Sequence, residues 1–216
     1  MKIESANYLY FRFMNYNGLT NTILRVPLVS FFSLMSLISF AQVKQKDSDL
    51  ETFEKIDLGI NGLNVTVETP LSKKILGEFA IGVGPSYDFH DDDGLTNSMD
   101  YHWAILEPSF HASAYGKYYY NREKRLSKGK SLLLNSGNFV GLKVKYVSKS
   151  LSSPQFYTNT ILANLNWGLQ RNIGKHWTYS FSTGLGFGYN MDDSYSMFYP
   201  ALDLKISYVL PFFDKK

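Results

Sequence analysis

From Trp177 to Tyr189 the chain alternates with a period of two. Trp177, Tyr179, Phe181, Thr183, Leu185, Phe187 and Tyr189 fall on one side, and Thr178, Ser180, Ser182, Gly184, Gly186 and Gly188 on the other. A helix would mix these two sets, whereas a strand separates them. The pattern recurs from Phe198 to Phe212, where Leu202, Leu204, Ile206, Leu210 and Phe212 oppose Tyr199, Ala201, Asp203, Lys205 and Ser207. Ile161, Ala163, Leu165, Trp167 and Leu169 oppose Asn164, Asn166, Gly168 and Gln170, and Val140, Leu142, Val144 and Tyr146 oppose Gly141, Lys143 and Lys145. Ile75, Phe79, Ile81, Val83 and Tyr87 oppose Glu78, Ala80, Gly82, Gly84 and Ser86. Residues 102–120 follow more loosely: Ala104, Leu106, Phe110, Ala112 and Ala114 oppose Glu107, Ser109, His111, Ser113 and Lys117. Pro108 interrupts that segment and predicts a bulge, because proline cannot donate to the ladder.

Between 56 and 69 the apolar phase slips. Ile56, Leu58 and Ile60 are even, whereas Leu63, Val65 and Val67 are odd, with the change at Asn61-Gly62. Either a bulge in one strand or a tight hairpin between two short strands produces such a slip. The hairpin makes the strand count eight, an even number, and is the favoured reading. The expected fold is therefore all-β: an antiparallel up-and-down transmembrane β-barrel of eight strands over residues 56–213, followed by a tail at 214–216.

These segments are long for a soluble sheet, whose strands average about five or six residues. A tilted strand crossing a membrane needs about 9–11. A water-washed face should carry Lys and Glu, yet the second face of 177–189 carries neither. Small neutral residues suit a narrow, crowded lumen, and the aromatics at stripe ends suit interfacial girdles. The apolar stripes are therefore assigned outward, toward lipid.

The N-terminal region points the same way. Val26 to Ala41 contains no charge, follows Arg25, and ends in Ser39-Phe40-Ala41. A basic start, a short apolar middle and a small-residue exit predict a secretory signal peptide over 1–41. The leader is over-long, and Met14 is the expected initiator. Gln42, not Cys, follows the expected cut, so no lipid anchor is indicated. Residues 42–55 are polar and read as a flexible lead-in.

Composition narrows the chemistry. The chain has 216 residues, no cysteine, 22 basic and 19 acidic residues, and 16% aromatics. Zero cysteines exclude disulfides, thiolate metal sites and a cysteine nucleophile. A net charge of +3 is too small to indicate nucleic-acid binding. The basic stretch 121–130 reads as a solvated turn, not a nucleic-acid patch. Connections alternate in charge: 70–74, 121–137 and 171–176 are basic, whereas 90–101, 148–157 and 190–196 are acidic or neutral. In a meander, alternate loops share an end, so the barrel should have a basic end and an acidic end. With a periplasmic C-terminus, the acidic loops face outside.

These features resemble the small OmpA/OmpX-type outer-membrane barrels and, more closely, uncharacterised outer-membrane barrel proteins. The resemblance implies an outer-membrane location, with membrane lipid and the barrel-assembly machinery as partners, a monomeric state and no cofactor. In such families the last strand carries an assembly signal, and Lys205, Ser207, Leu210 and Phe212 match its spacing, with Ser207 where the pattern has Gly. The expected role is structural or surface interaction, without catalysis.

Particular residues are compatible with other chemistries. Glu107, His111 and Ser113 hold the ingredients of an acyl hydrolase, and their His-x-Ser spacing resembles that of outer-membrane lipid A deacylases. A hydrogen-bonded lumen accounts for the same three residues. A soluble lipocalin-like carrier of apolar ligands is a further alternative. Asp91, Asp93 and Asn97 form an acidic loop without the spacing of a calcium site, so no metal is expected. Glu78, Glu107, Lys117, Lys143, Lys145, Asp203 and Lys205 are expected as ion pairs in the lumen, since buried charges must be paired.

Overall fold

The fold is described from a computed structural model. It describes residues 49–91 and 99–211, without the side chains of 88–91, 99–103 and 105. The signal peptide, Met14, residues 42–48, Asp93, Asn97, Phe212 and the 214–216 tail lie outside the described residues, as does the side chain of Asp91.

Eight strands form one closed antiparallel barrel in chain order: β1 (Phe53–Gly59), β2 (Gly62–Pro70), β3 (Ile75–Asp91), β4 (Met99–Tyr119), β5 (Gly137–Ser150), β6 (Thr160–Ile173), β7 (Trp177–Asn190) and β8 (Ser196–Val209). β1 closes against β8, with Lys55 opposite Val209 and Gly59 opposite Lys205. A short helix, α1 (Arg122–Ser127), and a 3₁₀ turn over Leu133–Asn135 lie in the β4–β5 connection.

The phase slip near residue 61 is a hairpin. Gly59 pairs with Gly62 across Ile60 and Asn61. Gly62 has φ +98°, and a Cβ there would meet the Val83 carbonyl oxygen at 2.1 Å. Only glycine adopts that backbone beside a neighbouring strand without strain. Ile60 N–H donates to the Leu204 carbonyl at 3.0 Å, carrying the β1–β8 seam into the turn.

The bulge expected at Pro108 is larger than one residue. Pro85 pairs with Pro108, but Ser86 pairs with Ala104, so β4 carries three extra residues. Two prolines facing each other leave no N–H to continue the ladder, and the register breaks there. The break resets the faces. Pro85, Ser86 and Tyr87 are all buried in succession. Tyr87, expected outward, is instead 5% exposed and packs in the interior with Val147, Leu162, Met197, Tyr199 and Ala201.

The start of the barrel also differs from expectation. β1 opens at Phe53, three residues inside the expected lead-in, and Leu50 before it is 2% exposed. Asn135 fixes this segment: its Oδ1 accepts from Glu51 N–H and its Nδ2 donates to the Glu51 carbonyl, both at 2.8 Å. One side-chain amide thus replaces a strand partner for the backbone of residue 51.

Polarity across the wall is inverted relative to a water-soluble barrel. Leu58, Leu63, Leu142, Leu165, Leu185, Leu202, Leu204 and Ile206 are all exposed on the outer surface. Lys55, Asp57, Glu68, Glu78, Lys117 and Lys205 are all buried. Exposed aromatics gather near the strand ends: Tyr118, Tyr120, Trp167, Trp177 and Tyr179 at one end, Tyr146, Phe187 and Tyr189 at the other. Trp167 Nε1 donates to the Tyr120 hydroxyl at 2.8 Å, and the Tyr146 hydroxyl donates to Asn159 Oδ1 at 3.0 Å.

Candidate functional site: the charged lumen

Alternation places every second side chain of each strand inside the barrel. On β1 these are Lys55 and Asp57, on β2 Glu68, on β3 Glu78, on β4 Lys117 and on β8 Lys205. They join into one linear chain. Lys55 Nζ lies 2.6 Å from Glu68 Oε1, which lies 3.3 Å from Lys117 Nζ. Lys117 Nζ contacts Glu78 Oε2 at 2.5 Å, and Glu78 Oε1 lies 2.8 Å from Lys205 Nζ. Lys205 Nζ ends the chain on Asp57 Oδ2 at 2.7 Å. Three ammoniums and three carboxylates alternate, so this part of the lumen is neutral.

Register explains why the chain is needed. Glu68 and Glu78 sit directly opposite each other across β2 and β3. Like charges in that position repel. Lys117 reaches from β4 and bonds both. Further donors complete Glu68: Asn135 Nδ2 at 3.0 Å and Gln170 Nε2 at 3.3 Å, both to Oε2. Thr66 Oγ1 donates to Asp57 Oδ2 at 2.9 Å. Lys117 Nζ also lies 5.1 Å from the Phe139 ring and 5.2 Å from the Tyr115 ring. Buried charges persist only when paired and hydrogen-bonded in this way.

A second group lies toward the acidic end. Lys143 Nζ pairs with Asp203 Oδ2 at 3.0 Å. His111 Nε2 bonds Asn64 Oδ1, while its Nδ1 has no partner. Lys145 Nζ also has no hydrogen-bond partner and lies 5.1 Å from the Tyr87 ring. Ser113 pairs directly with Lys145 across β4 and β5. A cavity of about 20 Å³ is bordered by His111, Ser113, Lys143, Lys145, Asn64 and Asp203, and on its other side by Asp57, Glu78 and Lys205 of the ion chain.

An apolar cluster lies toward each end of the lumen, among buried hydroxyls and amides such as Ser86, Ser109, Thr160 and Asn190. Leu50, Leu76, Tyr115, Tyr119 and Phe139 pack together at the basic end. The Tyr87–Tyr199 cluster packs at the acidic end, with the Tyr199 hydroxyl donating to Asn164 Oδ1 at 2.6 Å. The ion chain therefore lies between two apolar clusters.

Of the residues expected as lumen ion pairs, Glu78, Lys117, Lys143, Asp203 and Lys205 stand in such pairs. Lys145 faces the lumen without an acidic partner among the described residues. Glu107 is a correction. The bulge carries it to the rim, where its carboxylate accepts from Ser150 Oγ at 2.8 Å and Ser153 Oγ at 3.3 Å. His111 and Ser113 share one cavity, but Glu107 does not join them. In the expected assembly signal, Lys205 and Ser207 are buried, and Leu210 N–H donates to the Glu54 carbonyl at 2.9 Å. Sequence reasoning missed Lys55, Asp57 and Glu68. The signal was present: Lys55 and Asp57 alternate with Ile56 and Leu58, and Glu68 follows the even phase of Asn64 and Thr66.

Outside the strands, the connections carry their own electrostatics. Lys74 Nζ lies 2.9 Å from Glu123 Oε1, and that hydrogen bond holds the ammonium above its usual range. Burial draws Arg122 and Arg125 down from the usual arginine range. Arg122 donates to the carbonyls of Ser136 and Asp49, tying α1 to the segment before β1. Asp192 is held below the usual carboxylate range, first by the Asn159 backbone N–H at 2.9 Å.

No family model, curated protein or solved structure matches this chain. The fold and the lumen chemistry stand on the residues themselves: a closed eight-stranded antiparallel barrel with a charged interior.

Proposed function

We propose that this protein is an integral outer-membrane β-barrel, of the same kind as the small OmpA/OmpX-type barrels, with a structural or surface-interaction role and no catalysis. One observation carries the reading. The wall presents leucine, isoleucine or valine outward on every strand from β1 to β6 and on β8, and leucine with phenylalanine on β7, while the charges of the ion chain point inward. In water, so large a continuous apolar surface would drive association. In hydrocarbon it is the favoured arrangement, and a closed barrel leaves no unpaired strand edge there. The two aromatic belts fit the two membrane interfaces.

The packed interior supports a scaffold rather than a pore or a carrier. A lipocalin-like carrier needs an apolar cavity, whereas this lumen is filled by the ion chain. Acyl hydrolysis through Glu107, His111 and Ser113 needs a carboxylate on the histidine, and Glu107 instead binds Ser150 and Ser153. The loops at the acidic end then form the outer surface, and the basic loops, with the start of β1 and the end of β8, face the periplasm.

Fractionation of cells with protease shaving tests this. The protein should sediment with the outer membrane, and intact cells should lose the loops at 151–159 or 191–195 while 121–137 stays protected. Recovery in a soluble fraction would overturn the location, and cleavage confined to 121–137 would overturn the orientation.

A further inference from the structure

Among the described residues, lumen-facing strand positions carry the ammoniums of Lys55, Lys117, Lys143, Lys145 and Lys205 but only the carboxylates of Asp57, Glu68, Glu78 and Asp203. Each carboxylate is bonded by at least one lysine. One cation is in surplus, and it is Lys145. This side chain is 4% exposed, its Nζ has no hydrogen-bond partner, and the charged groups that act on it, Lys143 and Asp203, already bind each other. The Tyr87 ring at 5.1 Å polarises toward the ammonium but cannot cancel its charge. A buried ammonium without a counter-charge is costly enough that the group sheds its proton unless an anion joins it.

Beside it lies the cavity of about 20 Å³, whose wall also carries the carboxylates of Asp57, Glu78 and Asp203, each already bound by Lys205 or Lys143. That volume takes a single water-sized particle. A second unpartnered atom, Nδ1, belongs to His111, whose ring borders the same cavity. The Asn64 amide opposite His111 Nε2 can present either its oxygen or its nitrogen. With the nitrogen presented, Nδ1 carries the imidazole proton and becomes a second donor.

We propose that this cavity binds one halide-sized monovalent anion, held by the Lys145 ammonium and the His111 ring. The ion completes the charge balance that the strands leave open, and chloride is the natural occupant by size and charge. The inference depends on the lumen alone and not on what surrounds the barrel.

Two measurements on the folded, full mature protein test it. The first follows urea unfolding in chloride against gluconate, an anion too large for the cavity, at constant ionic strength. An ion bound only by the folded state raises the folded-to-unfolded ratio about tenfold per tenfold rise in chloride above its dissociation constant. Lys145→Met should abolish that dependence, and Lys149→Met, an exposed lysine of the same strand, should keep it. The second soaks crystals of the unaltered protein in bromide and reads the anomalous map, which needs no variant to fold. A peak beside Lys145 Nζ is expected. Equal stability in chloride and gluconate, a chloride dependence that survives Lys145→Met, or an anomalous map empty at Lys145 would each overturn the proposal.

Discussion

Leu204 and Lys205 are neighbours on β8, yet they face opposite worlds. Leu204 is 47% exposed on the outer wall, and Lys205 is 8% exposed between Asp57 and Glu78. The same contrast repeats at Ile56 and Lys55, and at Phe79 and Glu78. A strand has no means of burying both faces equally in a small barrel, so each face must match its own surroundings. Inside, matching means pairing charges, with Lys145 the exception among the described residues. Outside, it means presenting none.

The comparison can be broken hardest from within. Glu68→Ala should cost about 3–5 kcal/mol, because it leaves Lys55 without its carboxylate and strips Lys117, Asn135 and Gln170 of an acceptor. Urea titration of the protein folded into vesicles would register the loss. Replacing both Lys55 and Glu68 by apolar residues should cost less than Glu68→Ala alone, since no orphan ammonium then remains at position 55.

From the outside the expected effect is smaller. Leu204→Arg should cost about 2–4 kcal/mol if that position meets mid-bilayer lipid. The same substitution in a water-washed wall would be near neutral, so folding yield into vesicles separates the two settings. Gly62→Ala tests the hairpin that sets the phase of both faces. The positive φ and the 2.1 Å approach to the Val83 carbonyl predict a loss of about 1–3 kcal/mol, read from the same titration.

The mildest effect lies in a connection, away from either face. Asp192 has a folded pKa below its unfolded one, chiefly through the Asn159 N–H. Its contribution is therefore present above the unfolded pKa and fades as pH falls through the folded value. Amide exchange at Asn159 should accelerate as pH drops below the ordinary carboxylate range, after correction for intrinsic rates. Asp192→Asn should remove most of that pH dependence.

Much of the outer face was legible in the sequence. Period-two alternation identified the strands from β3 to β8, and the phase slip at Asn61-Gly62 supplied the β1–β2 hairpin. The charge of successive loops gave the two ends. The inner face was less legible, because lumen partners are set by register between strands, which one strand's pattern does not encode. Glu68 and Lys117 meet only through the β2–β3 and β3–β4 pairings. Tyr87 and Glu107 were misplaced for one shared reason. Pro108 announces a break, but not that three residues would be absorbed there, and those three turn Tyr87 inward and lift Glu107 to the rim. Leu50 and Asn135 were missed because a short polar lead-in gives no sign that a distant amide will bind its backbone.

The outward apolar wall is tested most directly by removing the amphiphile. Mature protein purified in detergent should lose its monodisperse state when the detergent is withdrawn, and should regain a folded form of altered, heat-sensitive gel mobility when lipid vesicles are supplied. A monodisperse, folded barrel in plain buffer would contradict the account, because Leu165, Leu202 and Leu204 would then be facing water.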